Sequence, residues 1–170
     1  RVPANASSSY NSNYWKCKSG YKRVGNVCQK KLSEIYIDGD KYVGELRNGE
    51  PHGKGTLTSS DGHKYVGEFI NGLPHGQGTF TSPEGFTYTG GWSNGEFHGQ
   101  GTLWYEEKEI ELSGEFKDGE PYGLITATHS SGLIIIGEFK DDNFAEGNIT
   151  VTYPNGNKYT GELNDDFERH

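Results

Sequence analysis

Residues 42–58 read YVGELRNGEPHGKGTLT, and this stretch decides the fold. Tyr42, Gly44 and Leu46 alternate with Val43 and Glu45, a period of two that means strand. Asn48-Gly49 follows, among the strongest short-range signals for a hairpin turn. Gly55-Thr56-Leu57-Thr58 then reads as the returning strand. A second turn at Asp61-Gly62 leads on.

What comes next is the same unit again. Tyr42-Val43-Gly44 recurs as Tyr65-Val66-Gly67 and Tyr88-Thr89-Gly90. It continues as Leu112-Ser113-Gly114, Ile135-Ile136-Gly137 and Tyr159-Thr160-Gly161. Two residues after each glycine stands an apolar residue: Leu46, Phe69, Trp92, Phe116, Phe139 and Leu163. Turns follow at Asn71-Gly72, Asn94-Gly95 and Asp118-Gly119. His-Gly-x-Gly stands at His52, His75 and His98, whereas the fourth unit has Tyr122-Gly123 and the fifth Glu146-Gly147. Second turns recur at Glu84-Gly85, Ser131-Gly132 and Asn155-Gly156. A fixed period of this kind marks a repeat array, in which each unit is stabilised by its neighbours.

The pattern Tyr-x-Gly-x-aromatic…Gly…His-Gly-x-Gly resembles the MORN repeat (membrane occupation and recognition nexus) over residues 40–170. The resemblance implies scaffold, dimerisation or membrane-tethering roles. The first three units fit closely. The fourth and fifth lose the Tyr, the His and the second Gly. The sixth reaches His170 where the next position calls for Gly, and so reads as incomplete. The expected fold class is all-β: a single-layer, twisted antiparallel sheet of tandem hairpins, five complete repeats and part of a sixth. With two strands per repeat, each repeat advances about 10 Å. An aromatic ring from a neighbouring strand is expected to cover each core glycine, the arrangement known as aromatic rescue.

The expected organisation is an N-terminal extension and two-Cys module over residues 1–35, then the array over 36–170. Cys17 and Cys28 lie in a Gly/Tyr/Lys-rich segment, and the pair suggests a disulfide and an oxidising, extracellular or cell-surface compartment. Free thiols or half a metal site are the alternatives, but no other Cys exists and no His precedes His52. Asn5-Ala6-Ser7 and Asn148-Ile149-Thr150 match the glycosylation acceptor pattern. A chain starting at Arg1 and lacking Met reads as a processed product or a fragment. The module is expected to cap the open edge of the first repeat, or its Lys/Arg cluster to contact an acidic partner, the Glu-rich face of another copy included.

Composition narrows function. The formal net charge is -8, and the pI is about 5.2. That balance argues against nucleic acid, where cations neutralise phosphate, and weakens docking to anionic lipid. A local basic cluster stands apart at Lys16, Lys18, Lys22, Arg23, Lys30 and Lys31. Hydrophobic residues are only 31% but aromatics reach 13%, so rings must supply most of the core.

No catalytic, cofactor-binding or metal site is expected. Successive repeat histidines stand about 10 Å apart, too far to share one zinc at ~2.0–2.1 Å per bond. The Glu ladder at Glu45, Glu68, Glu115, Glu138 and Glu162 lies opposite the aromatic face, as a solvated surface. The leading reading is a non-catalytic scaffold that binds protein or self-associates. The alternatives are a head-to-tail filament subunit, and a glycan or peptide binder using an aromatic face of Tyr42, Tyr65, Phe69, Tyr88 and Trp92.

Overall fold

The computed structural model describes residues 4–8, 15–140, 143–144 and 147–163. The chain is all-β among these residues, so no helix is long and apolar enough to cross a membrane. Four short strands form the N-terminal module: β1 (Ala6–Ser8), β2 (Trp15–Cys17), β3 (Tyr21–Val24) and β4 (Val27–Lys30). They pair as two separate hairpin-like sheets, β1 with β2 and β3 with β4. The sulfurs of Cys17 and Cys28 stand at bonding distance and tie the two pairs together.

The array is one antiparallel sheet. It runs β5 (Ser33–Ile37), β6 (Asp40–Arg47), β7 (Glu50–Thr58), β8 (Lys64–Ile70), β9 (Leu73–Thr81), β10 (Phe86–Ser93) and β11 (Glu96–Tyr105). It continues as β12 (Ile110–Lys117), β13 (Glu120–His129), β14 (Ile134–Lys140), β16 (Gly147–Thr152) and β17 (Lys158–Leu163), with β15 (Asn143–Phe144) paired to β14. From β6 onward every strand except β16, which pairs with β14, lies beside its predecessor, as short hairpin connections require.

The turns explain why. Asn48, Asn71, Asn94 and Asp118 take φ between 51° and 55°, and the glycine after each is also positive. Two consecutive positive φ values define the type I′ turn, whose twist matches that of the strands. At the opposite edge Gly62, Gly85, Gly132 and Gly156 close wider turns with φ from 85° to 100°. The third repeat puts Glu109 at the equivalent place, with φ 51°.

Among the described residues the N-terminal module contributes no strand to the main sheet. The strand beside β6 is β5, turned by Asp38-Gly39 at φ 52° and 96°. This strand also crosses the expected boundary between residues 35 and 36. Lys30 Nζ does reach Glu45 Oε2 of β6, so one ion pair ties the module to the array. The expected ring from a neighbouring strand covers the second glycine of each pair, and the first is covered from its own strand: a Cβ at Gly44 of β6 or at its partner Gly55 of β7 would strike the ring of Tyr42, which β6 carries.

Candidate functional site

Each feature of the repeat motif has a structural task. Tyr42 lies along its strand over the Gly44–Gly55 pair, and Tyr65 lies likewise over Gly67–Gly78. Tyr88 covers Gly101 and closes on Gly90. Only glycine leaves room for a ring at that depth. The ring ends at a place where the hairpin register shifts, between Gly44 and Leu46, Gly67 and Glu68, or Gly90 and Trp92. There the Tyr hydroxyl donates to a main-chain carbonyl three residues on. The acceptors are Glu45 O at 2.8 Å, Glu68 O at 2.9 Å and Gly91 O at 2.9 Å. The histidine carbonyl lies close by, accepting from Tyr65 at 3.4 Å in the second repeat.

The first glycine of His-Gly-x-Gly has a different task. Gly53, Gly76, Gly99 and Gly123 take φ from 66° to 72°, on the strand that carries the extra residues of the bulge. A bulge of this kind needs a left-handed residue, which glycine adopts without strain. A Cβ at Gly53 or Gly76 would also meet the carboxylate of Glu45 or Glu68. The motif's glycines therefore encode a bulge followed by a ring seat.

The five rings of the expected aromatic face are buried: Tyr42 0%, Tyr65 3%, Phe69 1%, Tyr88 0% and Trp92 7% exposed. They pack edge to face as one spine. Tyr42–Phe69 centroids are 5.1 Å apart, Phe69–Tyr65 5.0 Å, Tyr65–Trp92 4.7 Å, Trp92–Tyr88 5.5 Å and Tyr88–Phe116 4.9 Å. Trp92 Nε1 also donates to Gly78 O at 3.2 Å, joining the second and third repeats. Each such ring pair is worth roughly 0.5–1.5 kcal/mol beyond burial. These residues thus form an internal spine and present no open trough. Burial pushes the Tyr65 and Tyr88 hydroxyls up to about 12, and raises Tyr42 as well.

The fourth and fifth repeats replace the ring seat by a matched exchange. Leu112 takes the Tyr position, and Ile125 takes the second glycine position opposite Gly114. Ile125 is fully buried, and its Cδ1 closes on Gly114. Ile135, Gly137 and Ile149 repeat the arrangement, with Ile149 Cγ2 over Gly137. The core stays filled, from the opposite strand. Tyr159 returns over Gly161 in the sixth repeat.

The histidines occupy β7, β9 and β11, with a strand between each pair, so they do not converge. Among the described residues no group of three His, Cys, Asp or Glu is placed to hold a metal. Glu45 is partly covered, whereas Glu68, Glu115, Glu138 and Glu162 are exposed. A shallow depression of the opposite face is lined by Lys54, Val66, Glu68 and Gln77, and holds no buried ionisable group. Asn5 is exposed in the turn before β1. The side chain of Asn148, Glu146 and the end of the sixth repeat lie outside the described residues.

The sequence signature of the MORN repeat matches residues 42–64, 65–87 and 88–107. The three matches are consecutive and cover residues 42–107, less than half of the chain. Such repeats serve as interaction or scaffold modules and are generally non-catalytic. No curated protein sequence matches the chain.

Proposed function

We propose that the chain is a non-catalytic scaffold, a stiff hairpin sheet that holds its binding surfaces at fixed spacing. The observation behind this reading is the spine: the rings that could have formed a ligand pocket are packed against one another. What remains for recognition is the sheet's polar face, its turns and its edges. The reading places the protein in an oxidising, extracellular or cell-surface compartment, on the strength of the Cys17–Cys28 pair.

Self-association is the second reading. An unpaired strand edge recruits other chains, and β5 ends the sheet with its outer side unpaired among the described residues. Head-to-tail addition at such edges builds filaments.

Small-angle scattering and light scattering after size exclusion test both readings. The scaffold reading expects an elongated particle, on the order of 50 Å or more along the stack at ~4.8 Å per strand. A compact globule contradicts it. Self-association expects mass to rise with concentration, and a monomer at every concentration contradicts it. A His52→Ala/His75→Ala/His98→Ala variant should keep fold and shape. Loss of partner binding in that folded variant would move the action to the histidines and overturn the scaffold reading.

A further inference from the structure

Among the described residues, the strand β5 is an edge without the usual protection. Its turn, Asp38-Gly39, makes Ile37 and Asp40 the closing pair of a two-residue hairpin. In such a hairpin the closing pair exchanges hydrogen bonds, and the bonded pairs then alternate. Ile37, Ile35 and Ser33 therefore spend their main-chain groups on β6. The N–H and C=O of Glu34 and Tyr36 point outward. Natural edges are usually blunted by proline, a bulge or inward charge. β5 has no proline, and its register with β6 runs unbroken from Ser33 to Ile37. Its single charge, Glu34, is met by Lys41 Nζ at 3.1 Å. Around it Leu32, Tyr36 and Ile37 are 55%, 68% and 37% exposed.

Charge is segregated at this same end. Residues 1–35 hold seven Lys/Arg against one acidic residue, Glu34, whereas residues 36–170 hold nine against twenty-three. Lys16, Lys18, Lys22, Lys30 and Lys31 are all exposed. The module that carries them runs straight into β5 through Lys31-Leu32, and Lys30 is fastened to Glu45 of β6. An open edge strand and a disulfide-linked cationic module thus adjoin each other.

We propose that β5 is a strand-addition site for an extended acidic segment of a partner protein. The segment's backbone pairs with Glu34 and Tyr36, and its acidic flank is held by the lysines of the disulfide-linked module. Main-chain pairing of this kind gives affinity, and flanking charge gives selectivity and register. Antiparallel addition, the only sense used elsewhere in the sheet, puts the flank C-terminal to the paired stretch beside Lys30 and Lys31. A second copy is a competing occupant, since antiparallel pairing of β5 on β5 sets its Asp38 and Asp40 towards Lys30 and Lys31, but two chains of net charge -8 repel one another. The proposal rests on the scaffold reading and gives it a partner chemistry.

The test uses two labelled synthetic peptides, alternating valine and threonine followed by a run of glutamates or by a run of lysines. Fluorescence anisotropy should show saturable binding of the acidic peptide that weakens as salt rises. Tyr36→Pro removes an outward N–H and keeps the bonds to β6, so it should weaken binding by about tenfold or more. Lys22→Glu/Lys31→Glu should weaken the acidic peptide and favour the basic one. Circular dichroism and thermal melting establish that each variant is folded. Equal binding of both peptides, or unchanged binding to folded Tyr36→Pro, overturns the proposal. So does a light-scattering dimer that Tyr36→Pro converts to monomer while neither peptide binds, since the occupant is then a second copy. An acidic peptide that fails to bind a folded, elongated monomer also overturns it, while the scaffold reading, which rests on shape, stands.

Discussion

A tyrosine in this sheet makes two demands at once, space for its ring and an acceptor for its hydroxyl. Space comes from the glycine pair, and the acceptor comes from the bulge. Gly90 shows how tight the seat is. A Cβ there would lie 2.5 Å from Gly101 Cα and 2.6 Å from Gln100 O, backbone atoms that cannot swing aside. Gly90→Val should therefore cost at least about 3 kcal/mol, while Glu68→Ala, at an exposed position, should stay within about 0.5 kcal/mol. Urea denaturation of the two variants checks the contrast, and equal losses would contradict the ring seat.

The hydroxyls also carry a pH signature. Tyr65 and Tyr88 ionise near 12 in the folded chain, against an ordinary value of 10.0, because burial penalises the phenolate. The unfolded chain loses these protons first, so folding stability should be intact below pH 10 and fall between 10 and 12. Thermal melting across that range should show the fall. Tyr65→Phe should lose about 1 kcal/mol at neutral pH with its hydrogen bond, and show a shallower alkaline fall. An identical slope would mean that the buried hydroxyl is not the cause.

At the scale of the hairpin, two ways of filling one core alternate along the chain. Three repeats seat a Tyr over two glycines, and two repeats seat an Ile over one. The exchange implies coupling. Tyr65→Leu should cost about 2–4 kcal/mol through a cavity, and Gly78→Ile a similar amount through the clash with Tyr65. The double variant copies the Leu112/Ile125 pairing and should recover at least about 1.5 kcal/mol of the sum. Additive losses in a double-mutant cycle would contradict the matched exchange. The wide turns give a second case. Glu109 holds a left-handed φ of 51° where four other repeats place glycine. Glu109→Gly should raise stability by about 0.5–1 kcal/mol, and a lower melting temperature would show that the Glu side chain matters more than its backbone.

Much of this is legible in the amino-acid sequence. The Asn-Gly turns, the period-two alternation and the Tyr-x-Gly spacing fixed strand order and register. The exchange was also visible, since Tyr and the second Gly vanish from the same repeats. What it meant was hidden, because a side chain on the opposite strand fills the space. Burial of the rings was hidden for a related reason: alternation says which face a ring is on, not whether other rings cover it. The bulge at Gly53 escaped because it is a relation between two strands. β5 escaped although Asp38-Gly39 is a strong turn signal, since Ser33–Ile37 lacks the aromatic-x-Gly mark used to find the repeats.

Over the whole molecule, the spine makes the repeats one body from Tyr42 to Phe116. Turns of successive repeats are also bonded to each other: Gly72 N donates to Pro51 O at 3.0 Å, Gly95 N to Pro74 O at 2.9 Å, and Gly119 N to Phe97 O at 3.1 Å. Such an array is held together by contacts between neighbouring repeats. The most direct check is amide hydrogen exchange of the dilute monomer, read residue by residue. Amides of β7 to β11 should exchange slowly as one block, and in β5 those of Ile35 and Ile37 should be slower than those of Glu34 and Tyr36. Adding an acidic strand-forming peptide should slow Glu34 and Tyr36. Equal protection of all four amides in the free monomer would mean that the edge is already occupied, and would contradict the account.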